Sequence, residues 1–159
     1  MAGTEITSLL ELIDQAYNRK AWHGPNLRGS IRGITAEEAA WQPAGKRHCI
    51  AEIVTHAAYW KYAVRRQLTG GDRGSFPLKG SNWFPIGRPF DAASWSACVR
   101  LLADEHRALR ATVLAVSPRD LHKQPPTSKY TRLTLIQGIT AHDVYHAGQI
   151  QLLKRLRRG

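Results

Sequence analysis

The chain has 159 residues, of which 43% are hydrophobic and 22% are charged, and its formal net charge is +11. These values exclude a disordered polymer and predict a single folded domain over residues 1–159. No apolar run approaches the roughly 20 residues of a membrane span. The stretch Met1–Tyr17 lacks the basic start and apolar centre of a signal peptide. We therefore expect a cytoplasmic protein without a membrane partner.

The positive charge raises nucleic acid as a partner, but its distribution disfavours one. The densest basic cluster lies at residues 154–158, at the end of a predicted helix, where the helix dipole favours cations. The other basic residues are scattered over predicted helix surfaces, and no recognised nucleic-acid motif accompanies them. A solvated basic surface is the favoured interpretation.

The two cysteines, Cys49 and Cys98, lie outside any CxxC or CxxH pattern, which disfavours a thiolate metal site. Two cysteines in a chain without an export signal are more often free thiols than a disulfide. We therefore expect both thiols to be free.

Hydrophobic spacing predicts a first helix from a cap at Thr4 or Thr7 to about Trp22, before the breaker pair Gly24-Pro25. A capping box at Thr35–Glu38 then predicts a short helical turn. The second long helix is expected from about His48 to Gly70.

A loop rich in Gly and Pro follows over residues 70–90. A loop of about 20 residues is uncommon in a compact domain and is often functional. Its aromatic residues predict that it packs as a lid or wall, or that it covers one end of the core. These residues are Phe76, Trp83, Phe84 and Phe90.

A third helix is predicted from a cap at Asp91 or Ser94 to about Val116, and a fourth from about Thr131 to Arg157. His106 stands among charged neighbours, so we expect it to be solvated. No strand alternation appears. Four amphipathic helices of this length predict an all-α four-helix bundle, with a short extra helix and the long loop after the second helix.

The fourth helix places two histidines, His142 and His146, four residues apart in an apolar stripe. Residues at this spacing share one helix face. Two imidazoles where leucines would pack better suggest a shared metal ion. The stripe consists of Leu135, Ile139, His142, His146, Ile150 and Leu153.

A third ligand is available on the second helix, where His56 flanks the apolar face between Ile53 and Trp60. Taken alone, His56 is better interpreted as a residue at the edge of the core. Together with His142 and His146 it would complete a three-histidine site. Three imidazoles leave coordination positions open, as in catalytic metal sites.

At this point the chain resembles the DinB-like (YfiT-like) metalloenzyme family. Residues 53–60 (IVTHAAYW) hold the single histidine, residues 142–150 (HDVYHAGQI) hold the pair, and the approach at residues 41–53 (WQPAGKRHCIAEI) is also similar. The resemblance covers nearly the whole chain.

The resemblance implies an up-down-down-up bundle with a metal on His56, His142 and His146, often nickel or zinc. Iron, cobalt and manganese are alternatives, because imidazole does not discriminate strongly among divalent metals. The resemblance also implies a homodimer. Characterised relatives include S-transferases and an isomerase that use a low-molecular-weight thiol such as mycothiol or bacillithiol. It does not imply DNA binding or polymerase activity.

Four further polar residues are candidates for supporting roles. Glu52, one turn before His56, is a candidate general base. Asp143 and Gln149 flank the ligands and are candidates to orient an imidazole. An exposed position is an equal alternative for each of these three. His23 could face the mouth of the site, although a cation at a helix end is the favoured interpretation.

The expected function is metal-dependent chemistry on a small-molecule substrate. A metal at the site would lower the pKa of a thiol, which then attacks a small electrophile in an S-transferase-type reaction. Metal-dependent hydrolysis is the alternative within the enzyme class. A non-catalytic metal-binding or stress-response bundle protein is the alternative outside it.

Overall fold

The computed structural model describes residues 2–44 and 47–159. Helices account for all the regular structure of these residues, and no strand occurs among them. The four long helices are α1, α4, α5 and α6, as predicted. The elements are α1 (Ala2–Tyr17), α2 (Leu27–Ser30), α3 (Ala36–Ala40), α4 (Ile50–Thr69), α5 (Ala92–Leu114), a 3-10 turn (Pro118–Asp120) and α6 (Arg132–Arg158).

Side-chain caps begin three of the helices at the predicted positions. The hydroxyl of Thr35 accepts from Glu38 N, and the Glu38 carboxylate accepts in return from Thr35 N. The Asp91 side chain accepts from Ser94 N at the start of α5, and the Thr131 side chain accepts from Thr134 N at the start of α6. For α1, the predicted cap at Thr4 or Thr7 is wrong, because the helix begins at Ala2 and both residues lie inside it.

Two clusters of buried side chains set the direction of each helix. One cluster joins the first halves of α4 and α5 to the last turn of α1 and the second half of α6. The other joins the ends of α4 and α5 to the first halves of α1 and α6. Since α4 and α5 therefore run against α1 and α6, the order is up-down-down-up, which confirms the expected topology.

The first helix ends earlier than predicted, at Tyr17 rather than near Trp22. Asn18 N and Arg19 N both donate to the carbonyl of Asp14, which closes the last turn. Residues 18–20 are exposed and Trp22 is fully exposed, so this stretch buries no apolar face against the bundle. Because these residues do not pack against another helix, the helix ends at Tyr17.

The prediction of a solvated His106 is wrong. His106 is only 4% exposed and stacks on Tyr17, with ring centroids 3.7 Å apart. It follows Leu102 and precedes Leu109, so it lies on the buried stripe of α5 although its sequence neighbours are charged. Burial, followed by the nearby cations Lys61 and Arg110, lowers the pKa of His106 to about 3.

This buried imidazole predicts a loss of stability in acid. A group whose folded pKa lies below its unfolded value stabilises the fold above the unfolded pKa of about 6.5 and loses that effect as the pH falls. Relative to His106→Phe, the wild type should lose about 2 to 3 kcal/mol of unfolding free energy between pH 7 and 4.5. Urea unfolding at several pH values measures this difference. Parallel pH profiles for the two proteins would contradict it.

The loop over residues 70–90 packs against the bundle as predicted. Phe84 is 5% exposed, and Phe76, Trp83 and Phe90 pack against the core around α4 and α5. The loop therefore forms a wall beside α4.

Cys49 and Cys98 are free thiols, as expected. Among the described helices, none combines the length and apolarity needed to cross a membrane.

Candidate metal centre

The antiparallel packing of α4 and α6 brings together the three predicted ligands. His142 Nε2 lies 3.2 Å from His56 Nε2 and 3.0 Å from His146 Nε2. The ligand atoms of all three side chains fall within 4.8 Å of one another. Zn–N bonds of about 2.0–2.1 Å in tetrahedral geometry require nitrogens roughly 3.3 Å apart. The two separations from His142 Nε2 are close to this value.

Two of the imidazoles are fixed in one tautomer by hydrogen bonds to their outer nitrogens. His56 Nδ1 donates to the carbonyl oxygen of Asn82, at 2.7 Å. His146 Nδ1 donates to Gln149 Oε1, also at 2.7 Å. The Gln149 amide donates through its nitrogen to the Tyr145 hydroxyl, which sets the orientation of the amide. Both histidines therefore direct a bare Nε2 lone pair to the centre.

Burial keeps the three imidazoles neutral. It lowers the pKa of His142 to about 3 and that of His146 to about 4, with smaller contributions from neighbouring histidines. Burial also lowers the pKa of His56, against the opposing effect of the Asn82 carbonyl. Neutral imidazole is the form that binds a metal.

The arrangement of nitrogen atoms fits a bound cation better than a hydrogen-bond network. The Nε2 atoms of His56 and His146 both direct lone pairs at His142 Nε2, which carries at most one proton. Lone pairs at about 3 Å repel each other unless a positive charge lies between them. A divalent metal would accept all three.

Trp83 of the loop supports the centre by stacking. Its ring lies between His56 and His48, with centroid separations of 3.8 and 3.6 Å and interplanar angles of 10° and 4°. Glu52 Oε2 accepts from His48 Nδ1 and from Cys49 N at the start of α4. The Glu52 carboxylate thus holds the outer end of this stack.

Asn82 is the second loop residue that shapes the centre, and sequence reasoning missed it. Its φ of +67° is rare for a residue other than glycine. This backbone turns the Asn82 carbonyl towards His56, while Asn82 Oδ1 accepts from Trp60 Nε1 at 2.9 Å. Two hydrogen bonds to α4 therefore offset the left-handed conformation.

Asp143 is buried next to His142 on α6, and its carboxylate forms no hydrogen bond with any of the three ligand histidines. It forms an ion pair with Lys61 of α4, and the two side chains are 2% and 1% exposed. The pair joins α4 to α6 beside the centre. Lys61 is a second residue that sequence reasoning missed.

The remaining candidates fall in different places. Gln149 orients His146, as the sequence suggested. His23 is exposed and is absent from the ligand cluster. The general-base role of Glu52 stays a prediction, since its carboxylate is engaged at the N-terminus of α4.

An apolar slot of about 240 Å³ opens beside His142. Trp60 and Tyr130 form its aromatic walls, and Gly138 leaves it open, because a Cβ there would meet no atom within 4 Å. The slot is suited to the apolar part of a small molecule. Its residues are Trp60, Val64, Tyr130, Thr134, Leu135, Gly138, Ile139 and His142.

Comparison with known proteins adds one finding. The family model described as the DinB superfamily matches residues 21–150, which include all three histidines. No curated protein and no solved structure gives a significant match to the chain.

Proposed function

The chain belongs to the DinB superfamily, and we propose on that premise that it is a divalent-metal-dependent enzyme. The reaction we propose is an S-transferase-type attack of a low-molecular-weight thiol on a small electrophile. The observation that carries the proposal is the convergence of three imidazole nitrogens beside an apolar slot. The proposed metal is nickel or zinc, with iron, cobalt and manganese as alternatives, because imidazole binds several divalent metals.

A metal at this centre would lower the pKa of the thiol and so raise the fraction of nucleophilic thiolate. The chain's own residues would hold the reactants. Asn82 and Gln149 fix the imidazoles of His56 and His146, and the slot beside His142 takes the apolar part of the electrophile. The sulfur–carbon bond forms as the leaving group departs with its electron pair, and the thiol proton passes to solvent.

Turnover assays test the proposal directly. Metal-loaded protein is incubated with several thiols and electrophiles, with and without a chelator. Thiol-dependent turnover that the chelator abolishes supports the S-transferase. Turnover without thiol supports hydrolysis, for which the same centre would activate water. Metal binding without turnover of any substrate would favour the non-catalytic alternative.

Filling the slot should reduce turnover without removing the metal. In Gly138→Leu, the new side chain enters the slot, and we expect kcat/KM for an aromatic electrophile to fall roughly 10- to 200-fold. Gly138→Ala is the matched control, because it shares the gain in helix propensity but adds one carbon. Equal activity in the two variants would show that the slot does not hold the substrate.

Homodimer formation is a further part of the proposal. Tyr145, Leu152 and Leu156 recur at helical spacing on α6 and are 63%, 57% and 54% exposed. Exposed apolar residues in a row support an interface with a second copy. Light scattering of the purified protein measures its mass, and a monomer would exclude this part of the proposal.

A further inference from the structure

A second cavity, of about 540 Å³, lies between α4 and the start of the long loop. We refer to it as the cationic cavity because Arg66, Arg73 and Lys79 line it. No lining residue is acidic.

The three cations of this cavity lack internal counter-ions. None of them forms an ion pair with a carboxylate in the part of the chain that the structure describes, whereas Arg65 pairs with Glu105 and Arg110 with Asp14. Positive charges that converge in a cleft reinforce one another and attract anions. An anionic ligand would supply the missing partner.

The wall of the cationic cavity is held in place by hydrogen bonds and ring contacts. Gly74 N and Ser75 N both donate to the Tyr62 hydroxyl, at 3.2 Å each. The ring of Phe76 contacts those of Tyr59 and Tyr62, with centroids 5.4 Å apart in both cases. The loop backbone is thus attached to α4, so the cavity is formed before any ligand binds.

The position of this cavity links it to the candidate metal centre. Trp60 lines the cationic cavity and also the apolar slot beside His142. The Trp60 ring centroid is 6.3 Å from that of His142 and 6.4 Å from that of His56. One indole ring therefore separates the cationic cavity from the slot and the histidines.

The end of α4 opposes anion binding to a limited extent. Arg66 lies in the last turn of the helix, where the dipole is negative. That dipole amounts to about half a charge and acts within one turn. Arg73 and Lys79 belong to the loop, so the cavity keeps a positive balance.

We propose that the cationic cavity binds the carboxylate groups of a small, multiply charged organic anion. On the premise of the proposed function, this anion is the thiol cosubstrate, whose sulfur would lie on the side of Trp60 that faces His56 and His142. Guanidinium groups suit this role because they bind carboxylates through two parallel hydrogen bonds. The carboxylate end and the reacting end of one molecule would thus occupy adjacent sites.

Calorimetric titration with tricarballylate tests the proposal on metal-free protein at low salt. This probe has three carboxylates and no thiol. We expect saturable binding that weakens at least tenfold in the double variant Arg66→Gln/Arg73→Gln. The matched variant Lys20→Gln/Arg155→Gln removes two exposed charges elsewhere and should stay within twofold of the wild type.

Three outcomes would overturn the proposal: no binding by the wild type, equal weakening in both double variants, or tighter binding of inorganic phosphate than of tricarballylate. The measurement contains no metal, so its result is independent of the metal centre. Carboxylate binding without thiol-dependent turnover would refute the proposed reaction alone. Turnover without carboxylate binding would refute the cationic cavity alone.

Discussion

Replacing His146 with alanine is expected to abolish stoichiometric binding of a divalent metal. The variant loses one of three converging lone pairs, and two imidazoles hold a metal far more weakly than three. We expect the affinity to fall by more than about 100-fold, beyond the range that outer hydrogen-bond partners control. Metal analysis after dialysis measures the change, and His142→Ala and His56→Ala should behave alike. Unchanged metal content in these variants would refute the three-histidine centre.

Unfolding measurements separate loss of a ligand from loss of the fold. In metal-free protein, His146→Ala removes a buried ring and its hydrogen bond to Gln149, so some stability should be lost whether or not the site binds a metal. A metal at 100 times its Kd stabilises the wild type by about 2.7 kcal/mol, and this gain should vanish in the variant. If His146 were only a packing residue, added metal would stabilise the wild type no more than it stabilises the variant.

Two further variants should show an intermediate loss and no loss of metal affinity. Gln149→Ala leaves all three ligands in place but releases His146 Nδ1, so we expect a loss of about 10- to 100-fold in metal affinity. His23→Ala removes an exposed imidazole outside the cluster and should bind metal as the wild type does. A comparable loss in His23→Ala would indicate adventitious surface binding.

The helices and the ligand pair on α6 are predictable because their information is local. Helical periodicity places His142 and His146 on the stripe with Leu135, Ile139 and Ile150, and the structure confirms that face. Helical periodicity alone does not identify His56 as a ligand, because a lone histidine beside an apolar face has several explanations. Its assignment depended on the facing pair and on the resemblance to a family.

The groups that orient the ligands were less accessible to sequence reasoning. The Asn82 carbonyl meets His56 across 26 residues of the chain, within an irregular loop. A backbone carbonyl has no sequence signature, and a single left-handed asparagine is not determined by a local pattern. The stacking of Trp83 between His48 and His56 is equally difficult to predict, because it depends on the tertiary path of the loop.

Helical spacing in the sequence indicates that two further residues are buried: His106, which was wrongly predicted to be solvated, and Lys61, which was missed. His106 lies four residues after Leu102 and three before Leu109, which is core spacing on α5. Lys61 occupies the same register on α4, between Ala57 and Val64. The prediction for His106 followed its charged neighbours in sequence, whereas the helix face that a residue occupies depends on its spacing. A charged residue in a core register predicts a buried partner, here Asp143.

The ion pair between Lys61 and Asp143 yields the second large prediction. Asp143→Ala leaves the Lys61 ammonium buried without a counter-ion, and we expect a loss of about 3 to 5 kcal/mol of unfolding free energy. Breaking one side of a buried pair is costly because the remaining charge is desolvated and unpaired. Urea unfolding of the metal-free protein measures the loss, as a lower denaturation midpoint.

The double variant Lys61→Met/Asp143→Leu tests whether charge is the cause. It replaces both groups with apolar side chains of similar length, so most of the stability should return. Asp143 Oδ1 is buried without a hydrogen-bond partner, so the native pair is itself incompletely satisfied and its replacement should cost little. A double variant as unstable as Asp143→Ala would show that shape, not charge, sets the cost.

The same double variant decides whether Asp143 also orients the metal ligands. Its carboxylate pairs with Lys61 and forms no hydrogen bond with the ligand histidines, whereas Asn82 and Gln149 hold the outer nitrogens of His56 and His146. We therefore expect the double variant to bind metal within a few-fold of the wild type once it is folded. Restored stability with lost metal affinity would instead assign the pair a role in positioning His142.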